Sequence, residues 1–154
     1  MTTDLRVRRA ASSDEPSLMT FARRLAEFEL PAWRTGEQIA EADGRAMIEA
    51  VRVGQADNEV FIAERGRDAA GCLHVLADTD FFGLRHAHIS VLATTPAMEG
   101  TGVGRALLAY ADEWARSRGL PLLTLNVFAA NARARRLYEK AGYVPEILKY
   151  AKPL

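Results

Sequence analysis

Glu99-Gly100-Thr101-Gly102-Val103-Gly104, called the glycine loop below, is the most informative segment of this sequence. An alternating, strand-like pattern precedes it and an amphipathic helical pattern follows it, so its glycines lie in a turn from strand to helix. Glycine lets the backbone approach a ligand closely, and a helix N-terminus offers free N–H groups and a partial positive charge. The pattern therefore predicts a phosphate-binding turn, although glycines also cluster in ordinary turns.

The surroundings of the glycine loop narrow the class of ligand. The loop lacks the Lys-Ser/Thr pair of a P-loop, which argues against a nucleoside triphosphatase. It also follows the fourth predicted strand and not the first strand of a βαβ unit, which argues against a dinucleotide-binding fold. The loop remains well suited to the pyrophosphate of a ligand outside these two classes.

Working outward from the loop, the sequence predicts ten elements in the order βααβββαβαβ. Strands are expected at residues 5–10, 58–64, 70–78, 86–94, 120–128 and 143–150, and helices at 15–28, 39–51, 103–118 and 131–141. Pro96 ends the fourth strand, and Gly119 and Gly142 stand where helices stop. An α/β (layered α+β) domain of residues 1–154, with one mixed sheet flanked by helices, is the natural architecture.

The composition excludes several classes of function. Twenty Lys and Arg balance twenty Asp and Glu, so no overall field draws the chain to nucleic acid or to anionic lipid. The first nine residues lack the apolar core of a signal peptide, and no apolar run reaches membrane-spanning length, so we expect a cytoplasmic protein. A lone cysteine and three histidines show no metal-ligand spacing, and no metal site is expected.

With its continuation Arg105-Ala106-Leu107-Leu108, the glycine loop resembles the acetyl-CoA motif of the GNAT N-acetyltransferases, usually written Gln/Arg-x-x-Gly-x-Gly/Ala. Gly102 and Gly104 match the two motif glycines. Further segments that resemble the family are Leu92-Ala93-Thr94-Thr95-Pro96, Leu123 to Phe128, Asn131, Ala134, Tyr138-Glu139-Lys140 and Gly142-Tyr143. The resemblance covers nearly the whole chain. It implies the GNAT fold, a mixed, mostly antiparallel sheet whose fourth and fifth strands splay apart, flanked by about four helices.

The resemblance also implies that acetyl-CoA is the co-substrate and that an amine attacks it directly in a ternary complex. The residues expected to contact the cofactor are Leu92, Ala93, Thr94, Glu99, Gly100, Thr101, Gly102, Val103, Gly104, Arg105, Asn131 and Tyr138. The pantetheine arm would pair with the edge of strand four, where a backbone N–H would stabilise the oxyanion. Tyr138 would protonate the departing thiolate. From spacing alone, Asn131 is equally a helix N-cap and Tyr138 equally a core aromatic.

Glu99 departs from the family pattern, because it stands where Gln or Arg is usual. A carboxylate facing a pyrophosphate repels it by roughly 1 kcal/mol or more. We therefore expect its side chain to point away and the backbone amides of residues 100–104 to hold the phosphates, with Arg105 nearby. Arg133, Arg135 and Arg136 could reach the 3′-phosphate, although a solvated helix face explains them as well.

The catalytic base and the acceptor site are less sharply defined by the sequence. His86 and His88 are candidate bases on one face of strand four, but a structural histidine and a proton relay through water are alternatives. His74 is expected to be structural, and Cys72 is not expected to form an acetyl-enzyme. Residues that could line an amine-binding cleft, or be ordinary loop residues, are Glu27, Phe28, Glu29, Trp33, Asp78, Asp80, Phe81, Phe82 and Asn126.

Two further possibilities complete the expectations from sequence. A CoA-binding module that has lost catalysis would fit Glu99 and the lack of an acidic base on strand four, and a longer acyl chain would fit as well as acetyl. The apolar last strand and the family's habit make a homodimer plausible.

Overall fold

The computed structural model of the chain describes residues 4–154. Its strands are β1 (Leu5–Arg9), β2 (Asn58–Arg65), β3 (Asp68–Thr79), β4 (Arg85–Thr94) and β5 (Leu123–Leu125). Its helices are α1 (Glu15–Arg24), α2 (Gly36–Val53), α3 (Val103–Ser117) and α4 (Ala132–Lys140), with short 3-10 helices at Ser12–Asp14 and Pro96–Met98.

The five strands form one mixed sheet in the order β1-β2-β3-β4-β5. The first four strands pair antiparallel with their neighbours, and β5 pairs parallel with β4 after the crossover through α3. The β4–β5 ladder holds only three pairs, from Ala87 opposite Leu123 to Ile89 opposite Leu125. Beyond Ile89 the two strands part, which confirms the expected splay.

Helices cover both faces of the sheet and bury a core on each. On one face α1 and α2 contribute Leu18, Phe21 and Met47, which are at most 2% exposed. On the other face α3 presents Leu107 and Trp114 to the sheet, and α4 adds partly buried side chains. Apolar residues at helical spacing on α1, α2 and α3 thus face the sheet, as the sequence predicts.

An irregularity in β4 separates its two halves. Adjacent residues His74 and Val75 of β3 pair with Val91 and Ile89 of β4, so Ser90 is an extra residue in the ladder. Before Ser90, Ile89 packs in the core beneath α3, whereas Val91 packs in the core beneath α1 and α2. The bulge therefore reverses which residues of β4 face each layer.

Three expectations about element boundaries are wrong. Helix α1 ends at Arg24, so Phe28 lies in the connection to α2 and not in a helix. Strand β5 covers three residues where nine were expected. No strand forms at residues 143–150, which are almost entirely exposed; Pro145 removes a ladder donor there, and charged residues interrupt the apolar alternation.

Helix α2 begins in a capping box that the sequence analysis did not identify. The N–H of Gln38 donates to Thr35 Oγ1 at 3.2 Å, and the N–H of Thr35 donates to Gln38 Oε1 at 3.1 Å. Gly44, which breaks the helical pattern in the sequence, lies where α1 crosses α2, and a Cβ at Gly44 would overlap the side chain of Met19. Within residues 4–154, no helix is long and apolar enough to span a membrane.

Candidate active site

The glycine loop forms an open turn at the N-terminus of α3. Gly100 and Gly102 have φ angles of 71° and 89°, in the left-handed region that glycine adopts without strain. No atom lies within 4 Å of a Cβ built on either residue, so the backbone is accessible there. In the described part of the chain, the N–H groups of residues 102–105 have no backbone acceptor. The loop can therefore offer several convergent donors to a phosphate.

Close packing positions this helix start against the sheet. A Cβ on Gly71 of β3 would lie 2.8 Å from the carbonyl oxygen of Ala93, and 3.0 Å and 3.1 Å from the side chains of Val103 and Leu107. Only glycine allows α3 to approach the sheet so closely. The free N–H groups are thereby held next to the second half of β4.

Glu99 is neutralised by two arginines from different helices. Its carboxylate forms ion pairs with Arg24, at the end of α1, and with Arg133, in the first turn of α4. Arg24 also pairs with Glu27 at 2.5 Å. The departure from the family pattern is accompanied by positive charge brought in from α1 and α4. Sequence analysis missed Arg24, because the contact joins residues that are 75 positions apart.

The edge of β4 next to the glycine loop is free on the side of β5. Pairing with β5 stops at Ile89, so residues 90–94 have no partner strand on that side within residues 4–154. Leu92 and Thr94 are half-buried along this stretch, and Ala93 is 6% exposed. An extended, amide-containing chain can add to such an edge as a strand would.

The three histidines of the chain, His74, His86 and His88, lie on one face of β3 and β4. The rings of His86 and His88 are 6.4 Å apart between centroids, and His86 is 5% exposed whereas His88 is half-buried. Burial, reinforced by His86, lowers the pKa of His88, while Asp78 opposes this shift. His88 is therefore neutral at neutral pH and able to accept a proton.

His74 has the environment of a structural residue. Its Nε2–H donates to Asn58 Oδ1 at 2.7 Å, and the residue is 3% exposed. Burial, followed by His88, lowers the pKa of His74 to about 4. Within the described chain, no group of three or more His, Cys, Asp or Glu side chains is arranged to hold a metal ion.

Tyr138 and Asn131 lie at opposite ends of α4. Tyr138 is half-buried beside Tyr143, with 5.9 Å between ring centroids, and burial raises its pKa, so the phenol keeps its proton. Asn131 caps the helix, because its Oδ1 accepts from the N–H of Ala134 at 3.2 Å. The capping role of Asn131 is thus present, and its amide nitrogen is left for other contacts.

The candidate acceptor residues fall into two groups at opposite ends of β4. Asp80 Oδ1 accepts from the N–H groups of Phe82 and Leu84, both at 2.9 Å, and so shapes the β3–β4 turn, where Phe82 is 78% exposed. That turn precedes Arg85, whereas the splayed end of β4 is at Thr94, about 30 Å away along the strand. The residues of this turn therefore do not lie at the splayed end of β4.

The second group lies near the splayed end of the sheet. Phe28 follows the end of α1 and packs against Phe128, which follows β5. The two rings are tilted, with 5.5 Å between their centroids. Glu27 is tied to Arg24 and through it to Glu99. Trp33 is 50% exposed in the α1–α2 connection, and Asn126 is exposed directly after β5. Phe128 had no local signal in the sequence, because its partner is 100 positions away.

Cys72 lies on β3 opposite Ala93, and its side chain is buried in the core beneath α1 and α2. It is fully buried between β3 and α2, with its Sγ 4.0 Å from Met47 Sδ, and burial raises the pKa of the thiol. A buried, protonated thiol is a poor nucleophile.

A splayed mixed sheet, a free β4 edge and an open glycine turn at a helix N-terminus together define the acyl-CoA-dependent N-acetyltransferases as a class. The chain belongs to the Acetyltransferase (GNAT) family, whose sequence profile matches residues 20–143. Members of this family use acetyl-CoA as co-substrate.

Individual relatives match shorter stretches of sequence. A mycothiol acetyltransferase of Beutenbergia cavernae is 46% identical over 57 residues, covering 37% of this chain and 19% of the relative. An aminoalkylphosphonate N-acetyltransferase of Salmonella typhimurium is 35% identical over 77 residues, covering 47% of this chain and 50% of the relative. The chain thus spans half or less of the length of these relatives.

Solved structures match over the whole chain. A GCN5-related N-acetyltransferase from Ralstonia eutropha JMP134 superposes with a TM-score of 0.75, covering 98% of this chain and 99% of its own, at 16% identity. At that identity the comparison establishes the fold.

Proposed function

We propose that this protein transfers an acetyl group from acetyl-CoA to a primary amine of a small molecule or peptide, by direct attack in a ternary complex. The observation that carries this proposal is the free β4 edge, residues 90–94, beside the open N–H groups of residues 102–105. The edge fits the amide-rich pantetheine arm, and the helix start fits the pyrophosphate. An acceptor amine would enter from the α1–α2 side, near Phe28 and Glu27.

The chemistry requires two proton transfers. A neutral amine attacks the thioester carbonyl carbon, the C–N bond forms, and the C–S bond breaks. The amine's proton passes to a base on β4, either His86 or His88, and the thiolate takes the proton of Tyr138. The histidine then releases its proton to solvent, and solvent returns a proton to Tyr138. A backbone N–H of residues 92–94 would stabilise the oxyanion formed on the way.

A thiol-release assay over a panel of amines tests the proposed function. The panel includes a peptide N-terminus, lysine, an aminosugar and an aminoalkylphosphonate, the last suggested by the Salmonella relative. Acetyl-CoA consumption that depends on at least one amine is the expected result. A protein that titrates CoA calorimetrically but stays at background with every amine would instead be a CoA-binding module.

Tyr138→Phe tests the proposed acid. Removing the phenol hydroxyl should lower kcat about tenfold or more, ~1.4 kcal/mol, because the thiolate must then leave unprotonated. The affinity for CoA, measured by calorimetry, should change little. Tyr110→Phe is a matched control, since Tyr110 of α3 packs on Phe61 of β2, with 4.7 Å between ring centroids, away from the open edge. Unchanged turnover in Tyr138→Phe would remove Tyr138 from the mechanism.

A further inference from the structure

We propose that Thr124 is a positioning residue that holds His88 in the tautomer protonated at Nδ1, so that Nε2 accepts the proton of the attacking amine. This inference rests on the proposed function and assigns the base within it. The juxtaposition that carries it is the contact between His88 Nδ1 and Thr124 Oγ1, at 2.8 Å. Thr124 was not among the site residues expected from the sequence.

The contact lies where the sheet begins to open. His88 pairs with Thr124 in the parallel β4–β5 ladder, one pair before the ladder ends at Ile89 and Leu125. Of the two histidines on β4, His88 is therefore the nearer to the splayed region. His86 precedes Ala87, where the β4–β5 ladder begins, and so lies farther from the splayed region. It is 5% exposed, with its Nδ1 3.1 Å from the carbonyl oxygen of Leu84.

The hydroxyl of Thr124 selects the tautomer through its second contact. Its O–H donates to the carbonyl oxygen of Ala87 at 3.4 Å, an acceptor that cannot donate in return. The lone pairs of Oγ1 are then left to accept, and in the proposed arrangement Nδ1 of His88 donates to them. A neutral imidazole with its proton on Nδ1 has a free lone pair on Nε2.

The charged and titratable groups around His88 keep it neutral before the reaction. His86 on β4 adds to the effect of burial, and His74 on β3 is itself buried. Asp78 on β3 acts in the opposite direction, by stabilising the imidazolium. Strand β5 contributes Thr124 and no titratable side chain. Asp78 therefore favours the charged product of proton transfer, while burial preserves the neutral starting form.

Thr124→Val and Thr124→Ser separate the hydroxyl from the shape of the side chain. Val is isosteric and well suited to a strand, but it leaves Nδ1 without its acceptor, whereas Ser keeps the hydroxyl. With the best amine of the panel, Thr124→Val should lower kcat about tenfold or more and alter the acidic limb of the pH profile. Thr124→Ser should stay within about threefold of wild type. CoA affinity should be unchanged in both.

Nitrogen-15 NMR of the histidine rings provides a readout that needs no turnover. In the wild type His88 should show protonated Nδ1 and unprotonated Nε2, and in Thr124→Val the other tautomer should appear. The fall in kcat in His88→Gln should be at least as large as that in Thr124→Val. If Thr124→Val leaves the tautomer unchanged, or leaves the rate and pH profile unchanged, the positioning role is refuted.

The outcomes distinguish this inference from the proposed function. A wild-type protein that acetylates no amine contradicts the proposed function, while the ring tautomer still tests Thr124. Amine-dependent turnover that persists in His88→Gln keeps the function and overturns the assignment of the base. If Thr124→Val fails to fold, Thr124→Ala carries the same expectation for rate and tautomer.

Discussion

Glu99, the first residue of the glycine loop, carries the wrong charge for the phosphates that the loop is proposed to bind. Its carboxylate pairs with both Arg24 and Arg133, and Arg24 also pairs with Glu27, so these four side chains have a formal net charge of zero. Where the family motif has Gln or Arg, this chain has positive charge from α1 and α4 instead. Part of that positive charge is nevertheless occupied by Glu99.

Glu99→Gln should therefore tighten the binding of CoA. With the carboxylate removed, Arg133 loses its partner and Arg24 keeps only Glu27, so the site gains one net positive charge and Kd should fall roughly three- to tenfold at low ionic strength. The gain should shrink as salt is added. Calorimetric titration at two salt concentrations measures both effects.

Glu113→Gln is the matched control for this titration. It removes the same charge from an exposed pair with Arg116 on the surface of α3. A control that tightened CoA binding equally would indicate a change in overall charge and not a local effect. Weaker or unchanged binding in Glu99→Gln would mean that Glu99 organises the arginines for the ligand.

Among the elements, α3 depends most closely on a single residue of the strand beneath it. Gly71→Ala would place a methyl group 2.8 Å from the carbonyl oxygen of Ala93, and that backbone atom cannot move freely. We expect a loss of about 2 kcal/mol in the free energy of unfolding, measured by urea denaturation. CoA affinity should fall as well, because displaced α3 carries the glycine loop with it.

Gly54→Ala separates this packing effect from the general cost of replacing a glycine. Gly54 ends α2 with φ 69° and has open space around it, so alanine there should cost about 1 kcal/mol and leave CoA affinity unchanged. Equal losses in both variants would argue against steric overlap at Gly71.

Elements with strong local patterns were predictable from the sequence, and those that depend on partners were not. Strand β4 and helix α3 have clear periodicity and stop signals, and both formed as expected. The length of β5 depends on where it parts from β4, and residues 143–150 needed a partner strand that β5 does not provide. The glycine loop was evident in one segment, whereas Thr124, Arg24 and Phe128 act through contacts distant in sequence.

The stability of the whole molecule should depend on pH through His74. Its folded-state pKa of about 4 lies below the ordinary value of 6.5, so protonation favours the unfolded chain. The stabilisation is complete above about pH 6.5 and is lost as the pH falls toward 4. The free energy of unfolding should drop by about 2 kcal/mol between pH 7 and pH 5.

Urea denaturation of the wild type and His74→Gln at those two pH values checks this dependence. The glutamine variant should be less stable at pH 7 but show a smaller change toward pH 5, because it cannot be protonated there. A change of equal size in both proteins would assign the pH dependence to other groups, of which His88, with its lowered pKa, is the first to test.

The extra residue at Ser90 limits how this chain can vary in length. Ile89 and Val91 serve opposite cores only because one residue between them is left out of the ladder. Deleting Ser90 would restore a regular pleat and move the side chains along one half of β4 to the opposite face of the sheet. If the second half of β4 kept its position, the loss of one residue here would turn the side chain of His88 toward α3. If the first half kept its position, the side chains of residues 91–94 would change faces instead. Any alignment of homologues that places a single-residue gap within β4 would pair residues from opposite sides of the sheet.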